Sequence, residues 1–318
     1  MTERVERDLV REFEEQRGRL FGLAYRMLGS AEEAEDTVQD AFVRWRGAER
    51  NTIADPAAWL ARVVTNLCLN RLTSARARRE RYVGPWLPEP VLTADGALGP
   101  LETAELRDSV SLALLTLLER LTPVERAVFV LREAFGYAHR EIAEILELSE
   151  ANCRQLHRRA RQRVEEGRPR FRPDPEQRRR LLERFLAAAV EGDVQGLERL
   201  LSAEASAWAD GGGKTTAARR PVLGRERVAR YLVGLVRTAP EGAQLAILEV
   251  NGDPALVVRV GDALFGVLVP EFAGERVHAL RFVLNPDKLG FLARQLDALS
   301  HPWGVPGSFL TTEGETHA

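Results

Sequence analysis

The sequence predicts a multidomain fold: two all-α parts, the second containing a helix-turn-helix, followed by an α+β domain. Three observations carry this. Apolar residues recur at helical spacing from Leu9 to Val164, with one interruption. That interruption, Tyr82 to Pro100, holds Pro85, Pro88, Pro90 and Pro100 with Gly84, Gly96 and Gly99, which deny regular structure. After a second break at Pro173 and Pro175, helical patterns give way to strand-like runs between Gln244 and Leu284. The 318 residues suffice for two or three domains. The expected boundaries are 1–81, a linker at 82–104, 105–172, 176–290 and a C-terminal extension at 291–318.

In the first helical part, Leu9, Phe13, Leu20, Leu23 and Met27 form one stripe, and Gly29 ends the helix. Ser30-Ala31-Glu32-Glu33 reads as a capping box. The next helix buries Ala34, Val38, Ala41, Phe42 and Trp45 and shows Glu32, Glu35, Asp36 and Asp40 on its other face. Such a face suits a basic partner or is simply solvated. Asp55-Pro56 opens a third helix, cap then proline. Its stripe is Trp59, Leu60, Val63, Val64 and Leu67, with Asn66, Asn70 and Arg71 around the side and Arg76, Arg78 and Arg79 beyond. Amides, guanidiniums and an indole could hold a single strand by stacking and phosphate contacts, though Trp59 fits a core position equally.

In the second helical part, one helix is expected from Glu102 to Leu121. Thr122-Pro123-Val124-Glu125 starts the next. Glu141 to Leu146 forms a short helix, Glu147-Leu148 a tight connection, and Ser149 caps a basic helix bearing Asn152, Arg154, Gln155, His157, Arg158, Arg159 and Arg161. Helix, short turn, basic helix is a helix-turn-helix whose second member can enter a major groove. Ala138 lacks a capping side chain, so the first short helix is expected to fray at its start.

Composition bounds the function. Hydrophobic residues make up 45% and charged residues 29% of the chain, as in folded globular proteins. No uncharged run approaches a membrane span. Met1 to Arg19 is dense in Glu and Arg without a signal core, which points to the cytoplasm. Cys68 and Cys153 each lie within a helical pattern and suggest neither disulfides nor a metal site. The net charge of -2 conceals arginine clusters at 71–81 and 154–172.

Tyr25 to Glu80 and Leu118 to Val164 resemble the extracytoplasmic-function sigma factors of bacteria. The resemblance rests on Tyr25-Arg26-Met27-Leu28-Gly29-Ser30, on Ala34 to Phe42, on Pro56-Ala57-Ala58-Trp59-Leu60 with Asn66 and Asn70, on Leu121 to Arg126 and on Glu141-Ile142-Ala143. It implies that Glu35, Asp36, Val38, Gln39, Asp40 and Phe42 clasp core RNA polymerase. It implies that the 48–55 loop and the helix carrying Trp59, Asn66, Asn70, Arg71, Arg76, Arg78 and Arg79 capture the melted minus-ten element. The helix with Asn152, Arg154, Gln155, His157, Arg158 and Arg161 would read the minus-thirty-five element. The implied chemistry is binding, with no catalytic residue, no metal and no cofactor. A monomeric free protein is expected.

The C-terminal part reads as helices at Gln177 to Val190, Val194 to Leu201 and Arg225 to Val236. Strands follow at 244–250, 255–260, 263–269 and 275–284, giving an α+β order with an antiparallel sheet. It resembles the SnoaL-like branch of NTF2-like cone domains. Sigma factors with such a fused domain share three strings with this chain. These are Trp86-Leu87-Pro88-Glu89-Pro90 in the linker, Asp210-Gly211-Gly212-Gly213-Lys214, and Asn285-Pro286-Asp287-Lys288-Leu289. The resemblance implies regulation of the sigma core in cis, with room for an unidentified small-molecule ligand. The linker tryptophan and the Asp210 loop are expected to touch. Two other readings stay open: a helix-turn-helix repressor or activator with a ligand-binding domain, and an enzyme using Asp210, His278 and Asp287.

Overall fold

The computed structural model describes residues 2–49, 52–79, 81–93, 98, 104–167 and 173–299, except for the side chains of residues 2–5, 75–78 and 104–105. The side chains of Arg76 and Arg78, part of the 48–55 loop, Arg168 to Arg172 and the chain beyond Leu299 lie outside this description. The chain divides into two units. One comprises Met1–Arg81 and Thr93–Arg168, and the other Tyr82–Leu92 and Pro169–Ala318. The half of the expected linker that holds Trp86-Leu87-Pro88-Glu89-Pro90 therefore groups with the C-terminal unit.

In the first unit, α1 (Thr2–Leu28), α2 (Ala31–Arg46) and α3 (Pro56–Arg79) pack together. Gly29, at φ 68°, ends α1 with its amide on the Tyr25 carbonyl at 2.7 Å. Ser30 Oγ accepts the Glu33 amide at 3.1 Å, as the capping pattern requires. Trp45 is fully buried and its indole N–H donates to the Leu9 carbonyl at 3.2 Å. Phe42 is half-buried against Phe13, ring centres 4.9 Å apart.

The single helix expected over 102–121 is two: α4 (Ala104–Asp108) and α5 (Leu112–Leu118). Serine hydroxyls divert the backbone. Ser111 Oγ donates to the Asp108 carbonyl at 2.8 Å and accepts the Leu114 amide at 3.2 Å, so it caps α5 and ends the segment before it. Three further helices follow: α6 (Pro123–Glu133), α7 (His139–Leu146) and α8 (Glu150–Glu165). At the start of α7 Ala138 supplies no side-chain cap, as its methyl requires. Glu141 Oε2 accepts the Ala138 amide at 2.6 Å, which is the other half of a capping box and satisfies a different donor.

The C-terminal unit opens with α9 (Pro175–Glu191) and α10 (Val194–Leu200), and α11 (Arg225–Arg237) packs with them. Among the described residues one sheet is formed by β1 (Leu201–Asp210), β2 (Val222–Leu223), β3 (Ala243–Val250), β4 (Asp253–Val260), β5 (Ala263–Ala273) and β6 (Arg276–Val283). Their order is β2-β1-β6-β5-β4-β3. The sheet is mixed rather than antiparallel, because β1 pairs with β6 in parallel. Register shifts in the β1–β6, β4–β5 and β5–β6 ladders bend the sheet. The helices pack on its concave side, where Phe185, Leu197, Leu232 and Leu280 are at most 3% exposed. The β3–β4 hairpin turns on Asn251-Gly252, both at positive φ, with Val250 opposite Asp253. That is the primed two-residue turn that Asn-Gly favours. A short 3-10 turn (Pro286–Lys288) and α12 (Gly290–Ala298) close the described chain.

Candidate nucleic-acid interface and linker clasp

On α2, Asp36, Gln39 and Asp40 are exposed, and Glu35 is half-buried. Val38 is not part of that surface. At 3% exposure it belongs to the inner stripe with Ala34, Ala41 and Trp45, and so seats the helix instead of presenting a contact. On α3, Trp59 is half-buried with its ring 5.6 Å from that of Trp45, Asn66 is half-buried and Asn70 exposed. Arg71 donates to Asp40 at 2.7 Å and lies 3.8 Å from Asp36. One residue expected to meet DNA thus neutralises two expected to meet polymerase.

Arg79 also departs from expectation. It is turned inward, paired with Glu119 and donating to the Leu28 carbonyl at 2.7 Å, and so is committed to holding α3 against its neighbours. Beside it Arg126, 3% exposed, donates to the carbonyls of Leu118 at 3.0 Å and Met27 at 2.7 Å and to Glu119 at 2.6 Å. Burial pulls its guanidinium down to about 9, still protonated at neutral pH. Arg26, lowered by burial to about 10, donates to Ser109 Oγ at 2.9 Å. Arg62 of α3 reaches Glu147, in the turn before α8, at 2.5 Å. Within this unit α1 and α3 are therefore tied by buried bonds to Ser109, Glu119 and Arg126, and α3 also touches the turn before α8.

That motif is built as its spacing predicts. Ile142, Ile145, Cys153, Leu156 and Ala160 are buried. Glu147 takes the left-handed conformation at φ 55°, and Ser149 Oγ accepts the Asn152 amide at 3.3 Å. Asn152, Arg154, Gln155, Arg158 and Arg161 are exposed on α8. Arg154 and Arg161 pair with Glu150 at 2.5 Å and Glu165 at 2.7 Å on their own helix. Such exposed pairs are worth little and can yield to phosphates. His157 is the exception on this helix. Its side chain is 14% exposed, contacts Glu133 at 2.8 Å and packs against Phe129 and His139, so it braces α8 on α6.

Glu125 anchors the motif from beneath. It is 3% exposed, accepts the Thr122 amide at 3.1 Å and hydroxyl at 3.0 Å, and binds Arg163 at 2.6 Å. Burial alone would raise its carboxyl. The bonds from Thr122, with Arg163 and Arg159, outweigh burial and hold it below the usual range. Glu125→Ala should lower stability by about 1–3 kcal/mol at neutral pH. A carboxyl depressed on folding contributes above its unfolded value, and that contribution is lost as pH falls through the folded one. The variant's deficit, measured by denaturant unfolding, should therefore shrink in acid below the ordinary carboxylate range.

In the C-terminal unit the three shared strings meet. Asp210, fully buried, accepts the Leu87 amide at 2.8 Å, the Tyr82 hydroxyl at 2.5 Å and the Lys288 ammonium at 2.7 Å. Lys288 also donates to the Leu87 carbonyl at 2.5 Å. Its nitrogen lies 4.8 Å from the Tyr82 ring centre and 4.1 Å from that of Trp86. The backbone of Leu87 is thus gripped at both its N–H and its C=O. Asn285 donates to the Tyr82 hydroxyl at 2.8 Å. Burial and then Asp210 push the Tyr82 phenol upward.

The glycines are required here. A Cβ on Gly212, at φ 58°, would stand 2.3 Å from the Asn285 amide nitrogen. Gly213, at φ 74°, passes Val83, and the Gly211 carbonyl accepts the Lys214 amide at 2.9 Å to close the turn. Lys214 pairs with Asp287 at 2.6 Å, both half-exposed, a pair of small energetic worth. Pro88, Glu89, Pro90 and Leu289 are buried, and Pro286 opens the 3-10 turn. Three clasp residues lie outside the motifs that the sequence singles out: Tyr82, Asn251 and Gln295. Asn251 exchanges hydrogen bonds with Val91 at 2.9 and 3.0 Å, and Gln295 accepts the Leu92 amide at 2.9 Å. Of these, only Asn251 had a visible cue, the Asn-Gly turn.

Residues 13–78 match the sigma-70 region 2 model and residues 111–164 the sigma-70 region 4 model. The ECF RNA polymerase sigma factor SigJ of Mycobacterium tuberculosis is 40% identical over 249 residues, 77% of this chain and 79% of that protein. This chain belongs to the extracytoplasmic-function RNA polymerase sigma factors. The sigma factor SigG of the same organism is 31% identical over 302 residues, 84% of this chain and 79% of that one. The crystal structure of SigJ superposes with a TM-score of 0.71 at 35% identity, covering 89% of this chain and 98% of that one. The likeness therefore extends through the strand-rich unit, an NTF2-like cone. As a sigma factor the chain directs transcription initiation, and the repressor reading, which has no use for region 2, is set aside. No helix among the described residues is long and apolar enough to cross a membrane.

Proposed function

We propose that this sigma factor reads promoters with two surfaces and that its C-terminal unit restrains them in cis by holding the linker. Core RNA polymerase is met by Glu35, Asp36, Gln39, Asp40 and Phe42. Trp59, Asn66 and Asn70, with Arg71, Arg76 and Arg78, take the melted minus-ten strand by stacking and phosphate contacts. Asn152, Arg154, Gln155, Arg158 and Arg161 take the minus-thirty-five duplex in its major groove.

The observation that carries the restraint is the grip on Leu87 by Asp210 and Lys288. The two promoter elements lie about 25 base pairs apart by their names, roughly 85 Å along the duplex. Both readers cannot reach them while Arg62 touches Glu147. Separation draws on the linker. A chain extends at most about 3.3–3.6 Å per residue, so release of Tyr82–Leu92 supplies up to about 35–40 Å of reach.

The test is run-off transcription from the protein's own upstream promoter with bacterial core RNA polymerase. The full chain is compared with D210N/K288M, which removes the buried charges together. The expected result is a several-fold rise in transcript from an unchanged start site. A folded double variant that transcribes less than the parent would make the clasp a support rather than a brake. No specific transcript from either chain would remove the promoter assignment itself.

A further inference from the structure

The concave side of the C-terminal sheet is not filled completely by its helices. A cavity of about 980 Å³ remains, walled by Phe185, Leu232, Leu256, Val258 and Phe282 among others. Engineered packing voids are of order 150 Å³, so this is no missing side chain. It stands near the top of the range for small-molecule pockets, roughly 300–1,000 Å³. Phe265 lines it and is 44% exposed, which marks the rim.

The chemistry of the wall is unusual for an enzyme site. No described lining residue is charged or titratable, and the side-chain polar groups are the hydroxyls of Thr215, Thr216 and Thr238. Asp210, His278 and Asp287 are absent from the lining, and both Asp210 oxygens are engaged by the linker and Lys288. A charged occupant would lose its hydration with nothing to replace it. An uncharged hydrocarbon body would gain roughly in proportion to its buried area.

The same wall adjoins the clasp. Leu284 lines the cavity, and its amide donates to the Asp210 carbonyl at 2.8 Å. Thr215 lines it too; its amide donates to the Gly211 carbonyl at 3.2 Å and its hydroxyl to the Leu284 carbonyl at 3.3 Å. Pressure on these two residues is pressure on the loop and strand end that present Asp210.

We propose that the cone is a binding site for an uncharged, mostly hydrocarbon small molecule, and that its occupancy tightens the hold on the linker. The occupant is bound and not transformed. This coupling rests on the clasp reading above; the binding does not.

The probe is N-phenyl-1-naphthylamine, a neutral dye that fluoresces in apolar surroundings, titrated into the full chain. The expected result is saturable binding at one site per chain. 1-Decanol should displace it at a concentration at least tenfold lower than decanoate or decylammonium. Val258→Trp, which fills the cavity, should weaken the dye at least tenfold with unchanged circular dichroism. If that variant misfolds, the decanol comparison decides alone. Non-saturable fluorescence, equal competition by the charged chains, or undiminished binding by a folded Val258→Trp overturns the site. Trypsin cleavage after Arg81 should slow at least twofold in saturating decanol. Binding with an unchanged cleavage rate overturns the coupling while leaving the site.

Discussion

Asp210→Ala is expected to lower the stability of the C-terminal unit by about 3–5 kcal/mol, the range for removing one partner of a buried ion pair. The variant leaves the Lys288 ammonium, 6% exposed, without its carboxylate, and leaves the Leu87 amide and Tyr82 hydroxyl without their acceptor. Two aromatic rings over a cation do not replace a full charge. Unfolding in denaturant, followed through tryptophan emission with Trp86 in the clasp, gives the size of the loss. Adding Lys288→Met should recover a large part of it, because an apolar pair needs no mutual compensation. A single variant within about 1 kcal/mol of the parent would be incompatible with a carboxylate in this role.

Tying Arg62 to Glu147 should abolish promoter-specific transcription. In R62C/E147C joined by a short bis-maleimide, the minus-ten reader and the turn before α8 cannot part. The native thiols do not interfere, since Cys68 and Cys153 are buried and burial pushes both upward. The uncoupled double variant loses only one exposed ion pair and should transcribe like the parent. The readout is run-off product before and after coupling, with at least a tenfold loss expected. Full activity of the coupled protein would mean that the helical unit works without opening.

Legibility in the sequence followed the range of the interactions. Caps, the helix-turn-helix and the strands of the cone depend on neighbours a few residues away, and Ser30, Thr122, Ser149 and Asp55 all cap as their spacing predicts. The break at Ser109–Ser111 is hidden in the sequence because the apolar stripe runs across it, and the serine hydroxyls that divert the backbone show no periodicity. Parallel pairing of β1 with β6 joins residues 73 to 76 positions apart, as in Asp210↔Val283 and Leu201↔Val277, and leaves no local trace. Among the site residues, spacing places Val38 in the core and only the resemblance puts it at the polymerase, whereas the chemistry of Arg79 and His157 suggests surface. Their positions said otherwise. His157 stands four residues after Cys153 and three before Ala160, both fully buried, and Arg79 seven after the buried Leu72. Recurring strings located the clasp, but Tyr82 and Gln295 lie outside those strings and are recruited only when the chain folds.

The scarcity of lysine turns the clasp into its own reporter. All other non-histidine basic side chains are arginine, so Lys214 and Lys288 are the side-chain amines in the sequence. Lys214 is half-exposed, whereas Lys288 is enclosed between two rings and a carboxylate. Acylation at Lys214 therefore sets an internal reference rate, and acylation at Lys288 records how often the linker lets go. The ratio of the two, read by mass spectrometry on the unmodified chain, would follow the opening equilibrium on polymerase, on promoter DNA or alone, without any label having been designed into the protein.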